Sequence, residues 1–153
     1  MLLTQKCLYA VRAIFEIAAH HPDGPVKIGH IARAQAIPQR FLEAILTQLK
    51  QAGFVESRRG KLGGYVLAKA PSAITVGDII RAVEGRLGPV ECLEEGAEER
   101  NGKGCPLYGC CSFSELWQQA REALSRVYDG TTFQDLVDRE RKRRDRYVPL
   151  YNI

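Results

Sequence analysis

The stretch Pro38-Gln39-Arg40-Phe41-Leu42-Glu43-Ala44-Ile45-Leu46-Thr47-Gln48-Leu49-Lys50 is followed, past Gly53, by Phe54-Val55-Glu56-Ser57-Arg58-Arg59-Gly60-Lys61-Leu62-Gly63-Gly64-Tyr65-Val66-Leu67. Leu42, Ile45, Leu46 and Leu49 recur at the helical period, Pro38 suits the first turn of a helix, and Gly53 is placed to end it. The period then changes. Phe54–Ser57 and Tyr65–Leu67 predict short strands, joined by a tip that is basic and rich in glycine. A helix feeding such a ribbon is the second half of a winged helix-turn-helix.

Working towards the N-terminus, a short helix is expected from Ile28 to about Arg33, with Ile31 and Ala32 inward. The turn Pro22-Asp23-Gly24-Pro25 separates it from a first helix over Gln5 to His20. On that first helix Leu8, Val11, Phe15 and Ala18 form the expected apolar face. Towards the C-terminus, Thr75 caps a helix to Glu84 that carries Val76, Ile79, Ile80 and Val83. Residues 85–111 interrupt this order with glycines, prolines, four cysteines and five glutamates. Helical order returns from Ser112 to Tyr128, where Phe113, Leu116, Trp117, Ala120, Leu124 and Val127 make a long apolar stripe. A short last helix starts near Thr132 with Phe133, Leu136 and Val137. The tail Arg139–Arg146, with six positive and two negative charges, is expected to fray into solvent. The expected architecture is therefore mainly α with a small two-stranded β wing. It divides into a winged head (1–84), a cysteine-containing loop (85–111) and a long C-terminal helix with its tail (112–153).

With 153 residues, 45% of them hydrophobic and 26% charged, the chain is the size of one globular domain. The net charge of +4 conceals an asymmetry. Residues 1–69 hold ten basic and four acidic side chains, whereas residues 70–153 hold twelve and fourteen. The positive surplus coincides with the winged head, as phosphate contact requires. No apolar run approaches the ~20 residues of a membrane span, and no cationic flank precedes a long apolar run, so a cytoplasmic location is expected. No nucleophile–base constellation, carboxylate pair or nucleotide fingerprint is visible, so neither an enzyme nor a small-molecule substrate is expected.

Gln39, Arg40 and Glu43 stand at the start of the expected recognition helix, where such motifs reach base edges. Gln pairs with adenine, Arg with guanine, and Glu accepts from cytosine. Lys27 and Lys50 are candidates for phosphate contact, and the wing's Arg58, Arg59 and Lys61 for a neighbouring groove or backbone. His20, His21 and His30 have no partner at metal-ligand spacing and read as exposed surface. The glutamates of the cysteine loop lack the spacing of a calcium loop and read as a solvated linker.

The segments Leu3–Val11, Pro38–Glu43, Arg59–Tyr65 and Ile74–Ile80 resemble the Rrf2 family of bacterial winged helix-turn-helix regulators, over residues 1 to about 137. The resemblance implies a homodimeric transcription factor on a double-stranded, dyad-symmetric DNA operator, with the 112–128 helix as the dimer element. Burial within one subunit would account for that helix's stripe equally well. Cluster-binding members carry three cysteines just before this helix. Counting from Trp117 puts Cys105 and Cys111 on two of those positions, and Cys92 matches the first. The twelve residues between Cys92 and Cys105 exceed the family's usual spacing. The resemblance thus implies a 2Fe–2S or 4Fe–4S cluster that senses redox state, iron–sulfur status or nitric oxide. Cys110 is surplus, and either takes the place of Cys111 or acts as a redox partner. The fourth-ligand positions of relatives hold Ser114 and Leu8 here. Cys7, beside Leu8, is either a substitute ligand or a small buried hydrophobe. The alternative is a cluster-free regulator of the same fold, controlled by thiol oxidation or a partner protein.

Overall fold

The computed structural model describes residues 3–88, 90, 107 and 109–146. Within them the helices are α1 (Gln5–Ala19), α2 (Ile28–Ala34), α3 (Gln39–Gln51), α4 (Val76–Glu84), α5 (Ser114–Asp129) and α6 (Phe133–Arg146). Strands β1 (Val55–Arg58) and β2 (Gly64–Leu67) pair antiparallel with Val55 opposite Leu67 and Arg58 opposite Gly64, and a 3-10 turn spans Pro71–Ala73. The expected winged helix-turn-helix with a long C-terminal helix is therefore present.

Helix boundaries follow local chemistry. The Thr4 hydroxyl accepts from the Cys7 N–H at the start of α1, and Pro38 takes the N-cap of α3. Thr75 and Asp78 form a reciprocal capping box on α4, with both bonds near 3 Å. Thr132 and Asp135 repeat that exchange ahead of α6. The two capping threonines also meet in an isolated bridge, which ties the entry of α6 to the entry of α4.

Helix α1 runs through the middle of the core, packed by α2, α3, α4, α6 and β2. Its buried residues include Cys7, Ala10, Ile14 and Ile17, one residue round from the expected face, together with Ala18 of that face. Leu8 is 41% exposed, and Val11 and Phe15 are half-buried. An element covered on several sides is apolar nearly all round, so periodicity alone does not choose the stripe. Opposite α1 lie Leu42, Ile45, Leu46 and Leu49 of α3, joined by Ile31, Ile74, Ile79, Phe133 and Val137. Each such side chain contributes about 1.5–3 kcal/mol through burial.

One C-terminal feature differs from expectation, and a second bears on the two readings of the long helix. Helix α6 is 14 residues long, continuous to Arg146, rather than a short helix with a frayed tail. Arg, Lys and Glu are strong helix formers, and Glu140 bridges Arg143 and Arg144 one turn on, so the helix persists past its apolar residues. Among the described residues, none of the 16 in α5 is buried. This helix meets the body through Leu124 and Tyr128, beside Cys7, Ile80 and Leu87, and through a two-pronged Arg81–Asp129 pair at 2.8 and 2.7 Å. Phe113, Leu116 and Val127 stay 59%, 54% and 62% exposed, so contacts among the described residues cover Leu124 but leave this edge of the stripe open. No helix among the described residues is long and apolar enough to cross a membrane.

Candidate nucleic-acid interface and cysteine loop

The wing is anchored by a close approach of backbones. Val26 and Tyr65 exchange both N–H···O bonds at 2.9 Å, which joins β2 to the segment that leads into α2. A Cβ on Gly64 would lie 2.5 Å from the Val26 carbonyl oxygen, so glycine is required for this contact. At the tip, a Cβ on Gly63 would meet the Arg58 carbonyl oxygen at 2.4 Å. The two glycines thus hold the basic tip beside the helix-turn-helix. Between them lies an open groove of about 810 Å³, lined by Lys27, Arg33, Gln39 and Lys61 among others.

All eight side chains expected at the DNA are exposed: Lys27, Gln39, Arg40, Glu43, Lys50, Arg58, Arg59 and Lys61. Lys27, Gln39 and Lys61, distant in sequence, share the groove. Arg40, Glu43, Lys50, Arg58 and Arg59 lie outside its lining. Arg33 was not anticipated, and it adds a cation to the groove. On α3 the Gln39 amide donates to Glu43 at 3.4 Å. The Arg40 guanidinium lies 4.7 Å from the centre of the Phe41 ring, a stacked arrangement that limits its freedom. Lys50 donates to the Ser57 hydroxyl at 2.7 Å and so links the end of α3 to β1.

Cys92 and Cys105 lie outside the described residues. Cys110 is exposed and donates to the Leu107 carbonyl at 3.5 Å, while Cys111 is half-buried and its carbonyl accepts from the Ser114 N–H that opens α5. Both thiols therefore stand at the foot of the long helix. Cys7 is fully buried, and its thiol is pushed up to about 11, first by burial and then by the charge of Glu84. Glu84 itself is held below the usual carboxylate value, mainly because it accepts from the Thr4 hydroxyl at 2.6 Å.

The histidines depart from expectation. His21 is exposed, but His20 and His30 meet edge to face with ring centres 5.0 Å apart, and both reach the buried carboxylate of Glu16. Glu16 and His20 sit one turn apart on α1, a signal that the sequence carried. His30 joins them only because the Pro22–Pro25 turn folds α2 back onto α1.

Similarity to known proteins agrees with this geometry. The family model Rrf2, described as an iron-dependent transcriptional regulator, matches residues 3–139. The chain is 37% identical over 137 residues to the HTH-type transcriptional regulator CymR of Bacillus subtilis, with 90% of each chain covered. It is 36% identical over 140 residues to the regulator IscR of Yersinia pseudotuberculosis, covering 92% of this chain and 81% of that one. The solved structure of B. subtilis CymR, called the global cysteine regulator, superposes with a TM-score of 0.72 over 90% of this chain and 97% of that one, at 36% identity. T. potens IscR superposes with a TM-score of 0.73, at 31% identity, over 92% and 88%. With its winged head, exposed α3 edge and basic groove, the chain belongs to the Rrf2 family and is a DNA-binding transcriptional regulator rather than an enzyme.

Proposed function

We propose that the protein acts in the cytoplasm as a homodimer on a dyad-symmetric, double-stranded operator and takes its signal through the cysteine loop. Helix α3 enters the major groove with Gln39, Arg40 and Glu43 at the base edges. Arg58, Arg59 and Lys61 meet the flanking backbone, and Lys27 and Lys50 meet phosphates. The observation that carries this reading is the polar, exposed start of α3 set beside the basic groove. The uncovered apolar edge of α5, Phe113 with Leu116 and Val127, supports self-association through that helix. A two-fold dimer then sets the two α3 helices about one DNA turn apart, ~34–36 Å.

The donor chemistry of the loop fits an iron–sulfur cluster held by Cys92, Cys105 and Cys111, with Cys110 as the alternative to Cys111. Cys7 is left out of this set, because a thiol held protonated by burial is a poor ligand. Bound there, the cluster supplies a charge that responds to redox state or nitric oxide. Because Cys111 lies at the foot of α5, ligation there would bias the position of α5 and hence the separation of the two α3 helices.

A second reading draws on the exposed Cys110 beside Cys111 and on the likeness to CymR. In it the same thiols respond to oxidation, or the regulator to a partner protein, without a cluster. Visible absorption and iron content of anaerobically prepared protein separate the two. Brown, iron-bearing protein that loses both on Cys105→Ser or Cys111→Ser supports the cluster. Iron-free protein whose operator binding still changes under oxidant supports the thiol reading. For the DNA interface, Arg40→Ala should cost about 1–3 kcal/mol on the operator and little on random DNA. Arg59→Ala should weaken both alike and lower the salt slope by about one. Equal loss on both DNAs for Arg40→Ala would refute its place at a base edge.

A further inference from the structure

We propose that Glu16, His20 and His30 form a binding site for a divalent transition-metal ion of the zinc class, separate from the cysteine loop. Glu16 is 8% exposed, and buried carboxylates require partners. Among the described residues, the groups within ion-pair reach of it are two imidazoles. His30 Nε2 lies 3.1 Å and His20 Nδ1 3.6 Å from Glu16 Oε1, and one donor atom from each of the three residues falls within 4.8 Å of the others. Four ligands about 2.0–2.1 Å from a tetrahedral zinc ion stand roughly 3.3 Å apart; the carboxylate–imidazole separations already match this, and the two ring nitrogens, within 4.8 Å, would close by at most about 1.5 Å. Two imidazoles and a carboxylate, with a fourth position open to solvent, are a set suited to zinc, nickel or cobalt.

The surroundings fit a ligand set. The Gln35 amide donates to Glu16 Oε2 at 2.7 Å, which fixes the carboxylate and leaves Oε1 aimed between the rings. His20 Nδ1 also lies 2.9 Å from the Glu16 carbonyl, a hydrogen bond that metal capture would exchange for ligation. The three ligands belong to two elements, with Glu16 on α1, His20 at its C-cap and His30 on α2. Occupancy would therefore clamp α2 to α1. Both histidines line the groove that also holds Lys27, Gln39 and Lys61, so the bound ion would add positive charge beside the DNA-facing groups.

The test uses the full chain with Cys92, Cys105, Cys110 and Cys111 changed to serine, which removes competing thiolates. Zinc binding is measured by competition with a chromophoric chelator. One zinc per chain is expected, weakened by about 10–100-fold or more in His20→Gln and in His30→Gln, and about tenfold in Gln35→Ala. Zinc at a hundredfold excess over Kd should raise Tm by about 5–10 °C in the parent and leave His30→Gln unmoved. Glutamine can still donate to Glu16, so the metal-free fold and its Tm should persist in both variants. In the native chain, the imidazole proton resonances of His20 and His30 should shift together on zinc addition. No zinc bound at about 100 μM, or affinity changed less than about threefold by both histidine variants, overturns the site.

Discussion

Helices α3 and α5 are both amphipathic, yet they meet opposite fates. The apolar face of α3 is closed by α1, and Leu42, Leu46 and Leu49 are wholly buried. In α5 no residue is buried among those described, and its outer apolar edge faces solvent. An apolar stripe at the helical period states that a face will be covered, but not by what. The head can cover its own, whereas α5 meets the described subunit through Leu124, Tyr128 and the Arg81–Asp129 pair and leaves its outer edge open.

Four measurements would break or sharpen that contrast. The largest effect is expected in the head, where Leu46→Ala should lower unfolding free energy by about 2–5 kcal/mol in urea titrations, since the site is fully enclosed. A loss under about 1 kcal/mol would mean that the α1–α3 core is looser than its burial suggests. On α5, Leu116→Glu should leave the subunit folded by circular dichroism and weaken self-association by more than about thirtyfold in sedimentation, the cost of a removed interface anchor. Unchanged association would take α5 out of the proposed dimer. Thr75→Ala should destabilise by about 1 kcal/mol, because it removes one arm of the capping box on α4.

The smallest effect concerns the tether between α4 and α5. Asp129→Asn should cost about 0.5 kcal/mol, the screened worth of an exposed pair whose side chains are 43% and 39% accessible. The hydrogen bonds and charge of Arg81 hold the Asp129 carboxyl below its ordinary 3.8. A depressed carboxylate stabilises the fold above that ordinary value, and the contribution is lost as pH falls through the lower folded value. The wild type and the variant should therefore converge in stability in strong acid and diverge above pH 4. Parallel pH profiles would show the pair to be thermodynamically silent.

Much of the winged head was legible. The Leu42–Leu49 stripe, the Thr75 cap and the glycine-rich tip each carry a local signal strong enough to place an element. The exposure of Gln39, Arg40, Arg59 and Lys61 followed, because an N-terminal turn of α3 and a wing tip are surface by construction. The buried face of α1 was legible only at Ala18, since five elements pack round a helix that is apolar on adjacent stripes. Nor was the length of α6, where intrahelical Glu140–Arg pairs and strong helix formers carried the chain past its last apolar residue.

What the sequence determined by itself is whatever depends on near neighbours along the chain: helix period, caps, the turn at Pro22–Pro25 and the basic tip. What only the tertiary structure decided is whatever needs two distant segments to meet. Lys27, Gln39 and Lys61 line one groove because Val26 and Tyr65 bond across it. Glu16, His20 and His30 converge because α2 folds back over α1. Helix α5 keeps an open apolar edge because no part of the described subunit reaches it. Side-chain periodicity is a one-dimensional signal, whereas proximity between distant residues depends on the packing of the whole core.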